Sequence, residues 1–409
     1  MKTASRLFLG VAASLPIAFG VPGAAARAAT TTVIYSFAGD EDGEYADTDL
    51  VMDAAGNLYG TTVQGGEHGS GTVWELSPSG DSWTHTVLYS FTGGADGGEP
   101  YKGVTLDAQG NLYGTAVTGG GGVCEGGCGV AYKLTNNGGV WTQSVIHLFS
   151  GGDDGSGPGA RLTLDDAGDV FGMAPIGGAY GAGTIYEMKP AMHGAYKFKV
   201  LHAFTGGADG IGGSAGALVL HDGKLYGAAT AGGANGQGTV YELHLNDRGK
   251  WKFRTVYSFL GEPDAGFPYG GVTFDVLGNL YGTTYYAGAN DVGAVYELSP
   301  ARGAWKERLL YSFKGGSDGA GSIANVNFDA SGNLYGTTSE GGADSDGVIF
   351  KLVPGAHHKW SESVVHSFAG APDGAYAYNG MVGDGAGNFY GATVHGGAGD
   401  EGAIYKFTP

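Results

Sequence analysis

Cysteine is nearly missing from this chain of 409 residues: only Cys124 and Cys128 occur. A small disulfide framework or a cysteine-rich zinc module is thereby excluded. Basic residues are scarce as well, with 21 Lys+Arg against 40 Asp+Glu and a formal net charge of -19. That deficit argues against a nucleic-acid partner, whose affinity comes largely from basic side chains neutralising phosphates. A cationic or neutral partner fits better, although an acidic surface also serves solubility alone. Beyond the N-terminus there is no long hydrophobic run and no stretch of helical periodicity, so membrane insertion is not expected. Neither a Gly-x-Ser-x-Gly elbow nor a zincin motif is present.

The N-terminus itself reads as a secretory leader. Lys2 and Arg6 precede an apolar stretch from Leu7 to Val21, broken by Pro16, and small residues follow at Gly23 to Ala26. Cleavage is expected near Ala26 or Ala28, giving a signal peptide over 1–28 and a secreted, periplasmic or cell-surface protein over 29–409. In such a compartment disulfides persist, so Cys124-Glu125-Gly126-Gly127-Cys128 is expected to close as a local staple. A metal or redox pair is the rival reading, but no His or further Cys stands beside it to complete a shell.

What the chain has in abundance is glycine, 83 residues, together with 42% hydrophobic residues and 12% aromatics. A disordered glycine-rich tract lacks such apolar content, so the glycines must be building turns. A Tyr/His-x-Phe ending recurs at Phe37, Phe91, Phe149, Phe204, Phe259, Phe313 and Phe368, at spacings of 54 to 58 residues. Five residues after each comes an aspartate: Asp42, Asp96, Asp154, Asp209, Asp264, Asp318 and Asp373. Each unit then carries an Asp-x-x-Gly-Asn-Leu-Tyr-Gly type segment, clearest at Asp53 to Gly60, Asp107 to Gly114, Asp275 to Gly282 and Asp329 to Gly336. Asp, Gly and Asn between apolar runs signal a hairpin, here strands a and b. Thr72 to Leu76 and Trp83 to Phe91 show the alternation of two further strands, c and d.

Four short antiparallel strands in each of seven units form the pattern of propeller blades, which bury their faces only against one another. The fold class expected is therefore all-β, a seven-bladed β-propeller in one domain with repeats starting near residues 33, 87, 145, 200, 255, 309 and 364. A lone d strand, Thr32 to Phe37, opens the chain, and strands a, b and c without a d close it between Met381 and Phe407. The N-terminal strand is thus expected to complete the last blade.

The Gly65-Gly66 pair after strand b, with Trp74 in c and Trp83 opening d, resembles the kelch repeat. More closely, Asp-Ala-Gln-Gly-Asn-Leu-Tyr-Gly-Thr, with Gly-Thr-Val-Tyr-Glu-Leu and Leu-Tyr-Ser-Phe-x-Gly-Gly-x-Asp-Gly, is similar to the GloVer tandem repeat of exported bacterial proteins. That resemblance covers essentially the whole mature chain. It implies bacterial export and a repeat fold, and it implies no activity.

Residues common to all units serve the blade, so a single site must come from positions that differ. The marker aspartates precede glycine in six repeats and read as turn residues. No cofactor is expected. Calcium in these acidic loops is a weak rival reading, because no loop carries the ligand pattern of a calcium-binding loop. His147, His202 and His366 fill the slot of Tyr35, Tyr89, Tyr257 and Tyr311 and read as structural substitutes, and His357-His358 as an exposed turn.

The d-to-a connector, the start of a and the end of b should share one face. Ten residues after each marker phenylalanine stand Asp47, Tyr101, Gly159, Ser214, Tyr269, Ile323 and Tyr378, and the next two positions add Asp49, Lys102, Arg161, Asn325 and Asn379. Before the glycine pair after strand b stand Gln64, Thr118, Ile176, Ala231, Tyr286, Glu340 and His395. Polar and aromatic choices concentrate in blades 5, 6, 7 and 1. The ligand-binding residues expected are Asp47, Asp49, Gln64, Tyr269, Tyr286, Asn325, Tyr378 and Asn379, with Glu340 and His395 as candidate catalytic residues. Tyrosines and amides at a propeller mouth suit a glycan or protein ligand, and a monomeric binding or scaffold module is the function expected. A polysaccharide hydrolase or lyase using Glu340 and His395 as acid and base is the alternative.

Overall fold

Each Asp-x-x-Gly-Asn phrase folds into a tight turn held by its own aspartate. In the first, Asp53 Oδ1 accepts from the backbone N–H of Ala55 and Asn57, while Oδ2 accepts from Asn57 Nδ2 and the Tyr59 hydroxyl. Gly56 supplies the positive φ of 87° that the turn requires. A computed structural model describes residues 29–212 and 216–409. The expected leader over 1–28 lies outside the described residues, as does Ser214.

Blade 1 consists of strands a to d at Val51–Met52, Leu58–Thr62, Thr72–Ser79 and Ser82–Ser90, paired antiparallel in that order. Blades 2 to 6 repeat the order over 104–148, 163–203, 219–258, 273–312 and 327–367. Blade 7 joins Val382–Gly383, Phe389–Thr393 and Ala403–Thr408 to the N-terminal strand Thr30–Ser36. That strand runs from Thr30 opposite Thr408 to Ser36 opposite Ala403, so the two ends of the repeat array close the ring by β-pairing. The protein is a seven-bladed β-propeller. Its only helical segments among the described residues are four single 3-10 turns.

Burial lies between blades as well as within them. One cluster joins Phe37, Leu50, Leu58, Trp74 and Leu76 to Tyr390, Ala392 and Ile404 of blade 7, and equivalent clusters fill the other junctions. The invariant glycine of strand b has a steric cause. A Cβ at Gly60 would lie 2.5 Å from the Trp74 ring, and at Gly114, Gly282 and Gly391 it would lie 2.3 to 2.4 Å from the hydroxyls of Tyr132, Tyr296 and Tyr405. Glycine in b is the space that the large aromatic of c occupies.

The marker aspartates do more than turn the chain. Tyr35, Tyr89 and Tyr311 donate their hydroxyls to Asp42, Asp96 and Asp318, and His147, His202 and His366 bond Asp154, Asp209 and Asp373 through Nε2. The histidines are structural substitutes. Burial holds the pKa of His147 and His202 below the ordinary value despite their aspartates. Cys124 and Cys128 form the expected disulfide, with Cα atoms 5.1 Å apart.

Candidate functional site

Strand a is only two or three residues long, so the segment before it runs as a loop around the inner rim of the ring. In every blade this loop bridges to the end of strand b. Glu44 pairs with Gln64, Ala320 with Glu340 and Ala375 with His395, and blade 5 extends the bridge to a two-residue ladder of Ala265–Gly266 with Tyr286–Ala287. The two sets of variable positions therefore do share one face.

A cavity of about 420 Å³ opens there, lined by Asp47, Tyr101, Gly159, Tyr269, Ile323 and Tyr378. These are the equivalent positions of blades 1, 2, 3, 5, 6 and 7, so they encircle the propeller axis, and the cavity is the mouth of the central channel. Ala160, Met173 and Pro175 of blade 3 make its apolar wall, and Lys102 of blade 2 its cationic point.

Lys102 is 6% exposed, and its backbone takes the left-handed φ of 56°. Its Nζ donates to Asp47 Oδ1 at 2.5 Å and to Asn379 Oδ1 at 2.9 Å, joining blades 2, 1 and 7 in one network. Asp49 Oδ1 accepts from the Gly380 N–H and ties blade 1 to blade 7 a second time. Because lysine only donates, the Asn379 amide is oriented with its oxygen toward Lys102. Its Nδ2 is buried without a partner in a side chain 1% exposed. Burial and the Asp47 carboxylate raise the pKa of both Tyr101 and Tyr378, so their hydroxyls stay protonated donors.

Aromatic rings line the rim outside the cavity. On the blade 5 side, Tyr269 meets Tyr285 at 5.6 Å and Tyr285 meets Tyr286 at 4.5 Å. Tyr285 donates its hydroxyl to Glu340 Oε1 at 2.8 Å, and this bond, with burial, raises its pKa to about 12. On the other side Tyr376 lies 6.1 Å from Tyr378 at 27°, and His395 packs edge-on against Tyr376 at 5.7 Å and Tyr45 at 5.1 Å.

Of the residues expected from sequence, Asp47, Tyr269 and Tyr378 line the cavity and Asn379 and Asp49 brace it. Tyr286 is on the rim, 47% exposed. Asn325 packs beside Gly271 and Gly380 at the inner edge of the ring without lining the cavity, and Gln64 is an exposed rim residue whose backbone pairs with Glu44. Glu340 and His395 do not form an ion pair or hydrogen bond with each other. The carboxylate engages Tyr285, and the imidazole Nδ1 faces the Asp400 carbonyl at 3.3 Å. The concentration of function in blades 5, 6, 7 and 1 is too narrow, because blade 2 supplies Tyr101 and Lys102 and blade 3 the apolar wall. Sequence reasoning passed over Tyr45, Tyr285 and Tyr376. The signal for two of them is a position eight residues after the marker phenylalanine, where blades 3 and 6 carry glycine. Among the described residues no three His, Cys, Asp or Glu converge to hold a metal ion, and no helix is long and apolar enough to cross a membrane.

A profile of the Gloeobacter/Verrucomicrobia repeat matches residues 23–158, 86–273 and 214–409. No curated protein matches the chain. Among solved structures, a protein from Bacteroides uniformis described as a candidate 6-phosphogluconolactonase is similar at 13% identity with a TM-score of 0.52, over 82% of this chain and 88% of that one. A protein of unknown function from Dyadobacter fermentans aligns over 92% of this chain and 96% of that one, at 13% identity and a TM-score of 0.46. These likenesses show the propeller fold alone.

Proposed function

The chain belongs to the Gloeobacter/Verrucomicrobia repeat family, and we propose that it is an exported, non-enzymatic binding propeller that holds a saccharide unit in the cavity at the mouth of its channel. The observation that carries this reading is the composition of that cavity. Three tyrosines from blades 2, 5 and 7 and the apolar wall of blade 3 surround one buried ion pair. A pyranose presents an apolar face of ring C–H groups and an edge of hydroxyls that both donate and accept. Aromatic walls with a few fixed polar groups match that division, and the volume falls within the range of small-ligand sites. Asp47 and Lys102 offer one acceptor and one donor side by side, which suits neighbouring sugar hydroxyls. Asp47 is committed to Lys102 and Glu340 to Tyr285, which favours holding a ligand over cleaving one.

The test is a glycan array probed with the mature chain, the Tyr378→Ala and Tyr269→Ala variants, and a peptide library alongside. Retention of saccharides by the parent and at least about tenfold weaker retention by both variants is the expected result, since each removes one aromatic wall. Retention of peptides alone would refute the reading.

A further inference from the structure

The site does not end at the cavity. Tyr286, Tyr285, Tyr378, Tyr376, His395 and Tyr45 follow one another along the rim over blades 5, 7 and 1. Glu340 of blade 6 bridges the gap by bonding Tyr285, and the Tyr378 hydroxyl lies close enough to both Glu340 and Tyr285 to feel their charge. The rings are not incidental to the backbone. Tyr45, Phe267 and Tyr376 hold φ of 57° to 58°, at the position where Gly157 and Gly321 hold 63°. A bulky side chain in this left-handed region costs about 1 kcal/mol or more relative to glycine. The conformation is enforced from both ends: Tyr45 N–H donates to Glu401 O of the preceding blade, while its own carbonyl accepts from Val63 N–H. Tyr376 is held in the same way by Asp346 O and Val394 N–H. Glycine satisfies every backbone demand at this position, so the aromatic rings of blades 5, 7 and 1 are there for what they present to solvent.

We propose that this arc is the binding track of an extended neutral polysaccharide, with one sugar unit in the cavity and the adjoining units stacked along the rim. The inference rests on the saccharide reading of the cavity and adds its substrate class, a chain of several residues rather than a lone sugar. A peptide strand is the weaker occupant because the rim has no free backbone to pair with. Both N–H···O bonds of the Glu44–Gln64, Ala320–Glu340 and Ala375–His395 bridges are already made, leaving only side-chain recognition. Acidic chains are disfavoured, because Glu340, Glu44, Asp400 and Glu401 stand along the arc and the whole chain carries a net charge of -19.

Calorimetric titration of the mature chain with cello-, malto-, xylo- and manno-oligosaccharides, each from the disaccharide to the hexasaccharide, tests it. In at least one series the affinity is expected to rise about tenfold or more with length, as two or more further rings stack. In Tyr45→Gly and Tyr376→Gly the ratio of hexasaccharide to disaccharide affinity is expected to collapse to about twofold, while thermal unfolding shows no loss of stability because the substitution relieves backbone strain. Should either glycine variant fail to fold, Tyr45→Asn or Tyr376→Asn, which also tolerates the left-handed region, gives the same reading. Length-independent binding, or an unchanged ratio in the variants, overturns the arc and leaves the cavity reading standing. Binding of a Lys-rich peptide with no oligosaccharide bound overturns both.

Discussion

Lys102 of blade 2 and Asp47 of blade 1 meet at 2.5 Å at the mouth of the channel, with side chains only 8% and 15% exposed. Two like neighbours in a seven-fold ring are thereby made unlike, by a residue pair 55 positions apart that occurs in one junction only.

Removing one partner of such a pair strands the other. Lys102→Met is expected to lower the unfolding free energy by about 3 kcal/mol, because the Asp47 carboxylate is left enclosed without its cation. Adding Asp47→Leu should recover much of the loss. Urea denaturation of the two variants checks this, and equal loss in the single and double variants would contradict it.

The pH dependence of stability should carry the mark of Glu307. Burial, and then the neighbouring Asp264, raise its pKa from 4.5 to about 8. A carboxyl with a raised folded-state pKa contributes stability that is complete below its ordinary pKa and is lost as pH rises through the folded value. The unfolding midpoint is therefore expected to fall from pH 4.5 to about 8, with Glu362, raised to about 7 by burial and Asp318, adding to the slope. Glu307→Gln should flatten this decline, and thermal scans across that range would show it.

Strand b glycines are expected to be intolerant of even one methyl group. Gly282→Ala puts a Cβ 2.4 Å from the Tyr296 hydroxyl and should destabilise by about 2 kcal/mol. Tyr296→Phe should be nearly neutral or stabilising, since that buried hydroxyl has no partner and blade 6 uses Phe350 in the same slot. Chemical denaturation of both variants distinguishes steric filling from hydrogen bonding.

Most of the architecture was legible in the chain because it is written seven times. Phe37 and its six equivalents, the Asp-x-x-Gly-Asn turn and the lone strand at the N-terminus each follow from local chemistry and period, and the ring closes as that pattern requires. Strand ends shifted only slightly: the outer strand expected from Trp83 to Phe91 spans Ser82–Ser90. The site was legible in part. Asp47, Tyr269 and Tyr378 were recognisable as breaks in symmetry at equivalent positions, which a ring must bring around one axis.

Lys102 stood in view in the sequence, but nothing local marks it as buried or tells that it reaches Asp47 and Asn379 in the blades beside it. Tyr376 and Tyr45 likewise read as ordinary loop residues until the backbone shows them held where other blades place glycine. The amino-acid sequence by itself determined the blade, the number of blades and the way the ring shuts, since each follows from short-range turn chemistry and strict repetition. Which side chains meet across blade junctions was decided only by the tertiary structure, because a contact between residues hundreds of positions apart has no period for the sequence to display.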